Sequence, residues 1–174
     1  MYKRIIAALA IAGMAAFAMA AVAALAGARI NTSPSIPLGL YWAVDAPLKL
    51  GEYVQVCPPP SGVFDAARTR GYIGAGRCAG GYGYLMKRVA ALSGDDVFIS
   101  ENGVRINDRW WPDGKPMVVD TQARPMPRIY PSRHILTARQ VLLMGDGRKS
   151  FDARYFGLMD VAQIVSVIRP VFTW

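Results

Sequence analysis

The sequence predicts a mainly β domain preceded by one N-terminal transmembrane (or signal) helix. The first observation is an unbroken apolar segment near the N-terminus, residues 5–28. The second is the pattern from residue 31 onward, where short apolar runs are separated by Gly, Pro, Asn and Asp, and no stretch of about 12 residues has a helical period. The third is length, because 174 residues suit one compact domain. We therefore expect an anchor or signal segment over residues 1–29 and one domain over residues 30–174.

The apolar segment is long enough to cross a bilayer. Its 24 residues would form a helix of about 36 Å, compared with ~30 Å of hydrocarbon. Lys3 and Arg4 precede it and should stay cytoplasmic, which places the domain on the extracytoplasmic side of the membrane. The alternative is a cleaved secretory signal, because residues 18–20 and 26–28 offer small side chains at cleavage spacing. Cleavage would release the domain on that same side, so both alternatives give the same compartment.

Composition excludes several classes of function. The net charge is +8, but the basic residues form no run, so a surface facing anionic lipid headgroups explains the charge and no nucleic-acid partner is expected. One histidine, His134, and two cysteines cannot supply a conventional four-ligand zinc site. Phosphate-binding loops of the G-x-x-x-x-G-K-[ST] and G-x-G-x-x-G types are absent from the sequence. We expect no metal and no cofactor, so that any catalysis uses side chains alone.

Seven segments are predicted to be strands from their apolar runs and flanking turn residues. They are residues 40–44, 53–57, 84–90, 96–100, 104–106, 141–144 and 164–168. Asn102 and Gly103 lie between two alternating runs, which is a strong short-range signal for a hairpin. We expect a turn at that position.

Two segments are predicted to be irregular. Residues 58–83 contain three prolines and seven glycines, which indicates an extended loop or hairpin insertion outside the core. Cys57 and Cys78 flank most of it and in an oxidising compartment are candidates for a disulfide that closes a 22-residue ring. The alternative is two buried free thiols. The second segment, residues 111–131, is rich in proline and predicted to lie on the surface.

Two serines shortly after the apolar segment are candidate nucleophiles. Ser33 and Ser35 lie in a loop in which Pro34 and Pro37 restrict the backbone and so hold a hydroxyl in place. Proline-flanked serines are also common in linkers that follow a membrane helix, which is the alternative. A Ser-His-Asp triad would have to use His134, and the G-x-S-x-G nucleophile elbow is absent from the sequence.

Lys87 is the other candidate base. In the predicted strand 84–90, alternation places Leu85, Lys87 and Val89 on one apolar face. Burial disfavours the charged ammonium, so its pKa would fall from ~10.4 toward neutrality and the amine could accept a proton from a serine. The alternative is an edge-strand lysine whose side chain reaches water.

A dense polar segment follows the predicted strand 141–144. Its charged and hydroxyl side chains include Asp146, Arg148, Ser150, Asp152 and Arg154. Such density predicts a polar network. The alternative is a solvated turn with incidental ion pairs.

Three segments together resemble the type I signal peptidase family of serine-lysine endopeptidases, and most closely its TraF branch from conjugative plasmids. Ser35-Ile-Pro-Leu-Gly-Leu-Tyr41 matches the run S-x-P-x-G-x-Y. Lys87-Arg-Val-Ala-Ala-Leu-Ser-Gly-Asp95 matches the lysine box K-R-x-x-x-x-x-G-D. Ser150-Phe-Asp-Ala-Arg154 is similar to the box S-x-D-S-R. With the N-terminal span and the insertion between the cysteines, the similarity covers essentially the whole chain.

The resemblance implies a signal-peptidase-like β domain and a set of site residues. Ser35 matches the nucleophile and Lys87 the general base. Ser33 matches the position whose hydroxyl assists the Ser35 amide in the oxyanion hole. Ser150 matches the serine that orients the lysine, while Asp152 and Arg154 match a pair that braces the site.

This sequence departs from the general family pattern in two places. Ile36 leads straight to Pro37, whereas general signal peptidases have a Met and one further residue there, which favours the TraF branch. The C-terminal box is one residue shorter and has Gly147 and Ala153 where Asn and Ser are usual. We therefore leave Asp146 and Arg148 out of the predicted catalytic set.

The resemblance also implies a function. It implies a serine endopeptidase anchored in the bacterial inner membrane, with its catalytic domain on the periplasmic side, or released to the periplasm if the N-terminal segment is cleaved. This enzyme would mature a pilin precursor, with the lipid bilayer and the conjugative transfer apparatus as further partners. One alternative is a general type I signal peptidase that removes signal peptides from many exported proteins. From a different class, the alternative is a non-catalytic, membrane-anchored component of a pilus or secretion assembly. A non-catalytic component would keep its function after Ser35→Ala or Lys87→Met.

Overall fold

A computed structural model describes residues 2–128 and 131–174 of the chain. Within these residues the helices are α1 (Tyr2–Leu25), α2 (Gly62–Thr69) and α3 (Ala153–Phe156). The strands are β1 (Ala28–Asn31), β2 (Gly39–Val44), β3 (Tyr53–Val56), β4 (Leu85–Ala91), β5 (Asp96–Ser100), β6 (Gly103–Ile106), β7 (Arg109–Trp110), β8 (Ser132–Ile135), β9 (Gln140–Met144), β10 (Met159–Asp160) and β11 (Ile164–Thr173). The prediction of a mainly β chain with an N-terminal apolar helix is confirmed.

The strands form two antiparallel sheets. The larger has the order β1-β2-β11-β3-β4-β9-β10, and the smaller has the order β7-β6-β5-β8. Leu142 and Met144 of β9 pack with Val97 and Ile99 of β5, so one buried cluster joins the two sheets. β4 lies inside the larger sheet between β3 and β9, so it has a hydrogen-bonded neighbour on each side.

Helix α1 has no buried residue and is long and apolar enough to cross a membrane. The chain enters the sheet soon after the helix ends, because the Gly27 carbonyl accepts a hydrogen bond from the Ala43 amide at 2.8 Å. Arg29 of β1 donates to the carbonyl of Ala24 at the end of the helix and to the side chain of Gln55 in β3. The sheet therefore begins at Ala28, three residues after the end of the helix.

All seven predicted strands are present, with ends that differ by a few residues. β11 continues to Thr173, beyond the predicted end at residue 168. Pro170 lacks an amide hydrogen, and the sheet accommodates it at a register shift between Pro170 and Phe172. Four strands were not predicted: β1, β7, β8 and β10. They are short, and their formation depends more on the strands with which they pair than on their own composition.

The hairpin is confirmed, with the turn displaced by one residue. Ser100 of β5 pairs with Gly103 of β6, so the two loop residues are Glu101 and Asn102. Gly103 has a φ of 136°, a conformation that other residues adopt only with strain. Glycine is therefore required at the first paired position and not inside the loop.

The prediction that residues 58–83 lie outside the core is wrong. They contain α2, and Phe64 and Ala67 of this helix are buried. Ile73 and Tyr82 join the same core cluster, and the Tyr82 hydroxyl donates to the Asp65 carboxylate. Eight helical residues after three prolines give too short a pattern to predict, because the helix gains its stability from this packing. Cys57 and Cys78 are joined in a disulfide.

Residues 111–131 are largely irregular where the structure describes them. Val119 and Pro125 form an isolated antiparallel bridge, and Met126 packs partly against the core. The structure describes no position between 128 and 131, so that part of the prediction lies outside the described residues.

Candidate active site

Three elements bring the predicted site residues together. Ser33 and Ser35 lie in the loop between β1 and β2, and the loop is held down by Ile36, which is 2% exposed and packs with Tyr41. Lys87 lies in the middle of β4 opposite Val54 of β3. Ser150 lies in the turn between β9 and α3. Alternation along β4 turns Lys87 inward, as the sequence predicted.

Lys87 contacts Ser35 directly. Nζ of Lys87 lies 2.8 Å from Oγ of Ser35, and the lysine is 2% exposed. Burial lowers the pKa of Lys87 to about 8, because a charged ammonium loses its hydration there; Asp152 opposes this shift and Arg154 adds to it. The amine is therefore neutral in a large fraction of molecules near pH 8 and can accept the proton of the hydroxyl it contacts.

Ser150 lies on the other side of the Ser35 hydroxyl. Its Oγ donates to Oγ of Ser35 at 3.3 Å, and within the described residues no hydrogen bond joins it to Lys87. The resemblance implied a serine that orients the lysine; in this structure the Ser150 hydroxyl contacts the Ser35 hydroxyl, which in turn contacts the Lys87 amine.

Asp152 and Arg154 form a buried ion pair below this turn. Arg154 Nη2 lies 2.7 Å from Oδ2 of Asp152, and both side chains are excluded from water. Asp152 also accepts from the Gly145 amide, while Arg154 donates to the carbonyls of Gly147 and Ser150. The ion pair is thereby hydrogen-bonded to both ends of the turn and fixes the position of Ser150.

Asn31 is a site residue that sequence reasoning missed. Its Nδ2 donates to the carbonyls of Ser33, Ile36 and Pro37, at 2.8 to 3.0 Å. It is 3% exposed, so the side chain forms a buried hub for the nucleophile loop. An Asn two residues before Ser33 is the signal that could have found it, because Asn commonly bonds the backbone two residues ahead.

Asp146 was left out of the predicted set, and the structure brings it to the nucleophile loop. Its amide donates to the Ser35 carbonyl at 2.7 Å. Its carboxylate accepts from Arg88 and from the Tyr53 hydroxyl. Burial tends to raise the pKa of Asp146, but these hydrogen bonds hold it below its ordinary value. The charged carboxylate thus links the loop to β3 and β4. Arg148 is exposed, and its carbonyl accepts from Arg154.

The candidate oxyanion donors and the one histidine take no part in the contact between Lys87 and Ser35. The Ser33 hydroxyl donates to Oδ1 of Asn31, so it must rotate to reach an oxyanion. Within the described residues the Ser35 amide donates to no protein acceptor and is available for one. His134 is exposed on β8 and pairs with Val97 in the smaller sheet, so the geometry offers no support for a histidine base.

The fold and the site together define a β domain in which a buried lysine contacts a serine hydroxyl. Over residues 1–174 the chain matches the family model described as "Signal peptidase, peptidase S26", and it belongs to that family. The resemblance to signal peptidases is thereby confirmed.

Relatives with curated names confirm the branch. The chain is 52% identical over 173 residues to "Plasmid transfer protein TraF" of Escherichia coli, covering 99% of this chain and 97% of that protein. It is 37% identical over 169 residues to "Conjugal transfer protein TraF" of Agrobacterium tumefaciens strain 15955, covering 90% and 89%. A crystal structure of a signal peptidase I from Enterococcus faecalis superposes with a TM-score of 0.40 at 15% identity, covering 73% of this chain and 100% of that one.

Proposed function

We propose that this chain is a membrane-anchored serine endopeptidase that matures a pilin precursor during conjugation. The observation that carries the proposal is the buried contact between Lys87 and Ser35, at 2.8 Å. A lysine whose pKa is lowered to about 8 is a base matched to a weakly alkaline pH. A serine hydroxyl at hydrogen-bond distance from such a base is an activated nucleophile.

The reaction follows from these positions. Neutral Lys87 takes the proton of the Ser35 hydroxyl, and the alkoxide attacks the scissile carbonyl to form a tetrahedral intermediate. The Ser35 amide stabilises the oxyanion, together with the Ser33 hydroxyl once it rotates away from Asn31. The lysine then protonates the leaving amine, and an acyl-enzyme forms on Ser35. Water or an amine resolves the acyl-enzyme and releases the product.

Three further residues keep this geometry in place. Ser150 donates to the Ser35 oxygen and so restricts the rotation of that hydroxyl. The pair of Asp152 and Arg154 holds the turn that carries Ser150. These are positioning residues, since each acts on the reacting atoms through Ser35, Ser150 or the charge near Lys87.

The anchor suits a substrate that is itself membrane-bound. If α1 crosses the inner membrane, with the β domain on the periplasmic side, Ser35 acts a few residues beyond the bilayer surface. A precursor with a membrane span presents its cut site at the same height, which raises its effective concentration. The transfer functions named for the relatives support a substrate and partners within the conjugative apparatus.

The test is cleavage by purified, detergent-solubilised full-length protein. We expect it to cut the pilin precursor of the same transfer system, whereas Ser35→Ala and Lys87→Met do not. Ser132→Ala and Lys49→Met change the same residue types outside the site and should cut like the parent. The product mass gives the cut site and shows whether water or an amine resolved the acyl-enzyme.

Two outcomes contradict the proposal. Cleavage by Ser35→Ala at the parental rate would remove Ser35 from the mechanism. If the parent cuts no precursor while Ser35→Ala still supports conjugation in cells, the chain acts as a non-catalytic component of the assembly. Cleavage of many unrelated preproteins would instead favour a general signal peptidase.

A further inference from the structure

A pocket of about 240 Å³ opens beside Ser35. Ser33, Pro34 and Ser35 form one side of it. The facing walls are rings and thioethers: Tyr72, Met117, Met126, Phe151 and Tyr155. An engineered apolar cavity of about 150 Å³ holds benzene, so this pocket has room for much more than a methyl group.

The carboxylate and the two phenol groups of the lining are already hydrogen-bonded within the protein. The Asp120 carboxylate accepts from the Tyr72 hydroxyl and from the side chain and amide of Arg124. The Tyr155 hydroxyl accepts from the Met117 amide at 2.9 Å. Asp120 therefore has its charge neutralised inside the protein, and the pocket is not suited to a cationic side chain. Lys149 lies at the exposed rim.

The far wall is built from two segments fastened together. Tyr72 follows α2 within the insertion closed by the Cys57–Cys78 disulfide. Met126 directly follows the segment closed by the isolated bridge between Val119 and Pro125. Arg70 of the insertion donates to the Pro125 carbonyl at 2.6 Å, so the two segments form one surface. A wall held at several points has a defined width, which a size-selective pocket requires.

We propose that this pocket binds an apolar side chain of the precursor close to the bond that Ser35 cuts, and that Tyr72 and Met126 set the largest side chain it accepts. This rests on the proposed function and adds the substrate feature that the site selects. Filling the pocket should favour a leucine over an alanine at one substrate position by roughly 10- to 100-fold in kcat/KM.

The experiment uses short blocked peptides of alanine, glycine and serine that carry one Leu or Phe at each position in turn. The detergent-solubilised full chain and its Met126→Ala variant are compared by mass spectrometry of the products. We expect Met126→Ala to shift the preference from Leu toward Phe about tenfold at one position only. Val118→Ala, in the same loop but 69% exposed and outside the pocket lining, should keep the parental preference. Met126→Leu conserves volume and guards against a folding defect.

A second measurement separates this proposal from the peptidase activity. The same peptides are titrated calorimetrically against the Ser35→Ala protein with and without Met126→Ala. If the parent cuts neither these peptides nor the pilin precursor but the Leu-to-Phe affinity ratio still shifts with Met126→Ala, the peptidase proposal fails and the side-chain selectivity of the pocket stands. Equal ratios for Met126→Ala and its parent at every position, in cleavage and in binding, would overturn the pocket proposal.

Discussion

Asn31 and Ser33 are joined by two hydrogen bonds, since the amide and the hydroxyl of Ser33 both donate to Oδ1 of Asn31, at 3.1 and 3.0 Å. The opposite end of the same side chain binds three carbonyls of the loop. One buried amide therefore determines where the loop that carries Ser35 lies. It also competes with any oxyanion for the Ser33 hydroxyl.

Asn31→Ala should lower kcat by roughly 10- to 100-fold, because a small displacement of a reacting group is costly. The apparent pKa of the rate should stay near that of the parent, since the burial that lowers the Lys87 pKa is unchanged. Steady-state kinetics over a pH series measure both quantities. Asn31→Asp keeps the acceptor and loses the donors, which separates the two sets of bonds, and Asn102→Ala in an exposed turn is the control. Parental kcat in Asn31→Ala would show that the hub is dispensable.

The rate should depend on pH through Lys87. The lysine is a base only when neutral, and its pKa is lowered to about 8, so kcat/KM should rise about tenfold per pH unit below that value and level off above it. The measurement is kcat/KM from about pH 6 to about pH 10 at constant ionic strength. A flat profile across this range would exclude Lys87 as the base.

The same shift affects stability. Between about pH 8 and the ordinary lysine pKa of 10.5, the unfolded chain binds a proton at Lys87 that the folded chain does not. The free energy of unfolding should therefore rise with pH in that window, and the penalty is constant below it. In Lys87→Met this contribution to the slope should be absent, which denaturant titrations at several pH values would detect.

The buried ion pair should matter far more than its exposed counterparts. Asp152→Asn leaves the Arg154 guanidinium buried without its counter-ion, and removing one member of such a pair costs about 3 to 5 kcal/mol. Asp160→Asn breaks the pair with Arg139, whose side chain is 84% exposed, and should change little. Chemical denaturation of the full-length protein in detergent compares the two. Equal losses for both variants would contradict this assignment.

Gly145 lies where no side chain fits. A Cβ there would be 2.1 Å from Oγ of Ser150 and 2.9 Å from the Ser35 carbonyl, so Gly145→Ala must push these groups apart. We expect a loss of most activity, with destabilisation of about 1 to 3 kcal/mol from overpacking. Gly62→Ala is the matched control, because a Cβ at that position meets no atom within 4 Å. Cleavage assays and thermal unfolding of both variants decide the outcome, and parental activity in Gly145→Ala would refute the close approach.

The sequence determined the elements whose signal is local. The apolar helix, the seven predicted strands and the hairpin each depend on composition and alternation within a few residues. The alternation of apolar residues was enough to predict that Lys87 lies on the buried face of its strand. The spacing of the motifs was enough to relate the chain to its family. Those inferences needed no knowledge of what lies across the sheet.

The tertiary structure alone decided everything that depends on a distant partner. Helix α2 exists because Phe64 has a core to pack against, and β1 and β8 exist because another strand pairs with them. Asp146 was left out as a doubtful match, yet Arg88 and Tyr53 hold its carboxylate beside the nucleophile loop. The physical reason is that a buried polar group or a short segment is stable only with its partners in place. Those partners are far apart in sequence and adjacent only in the folded chain.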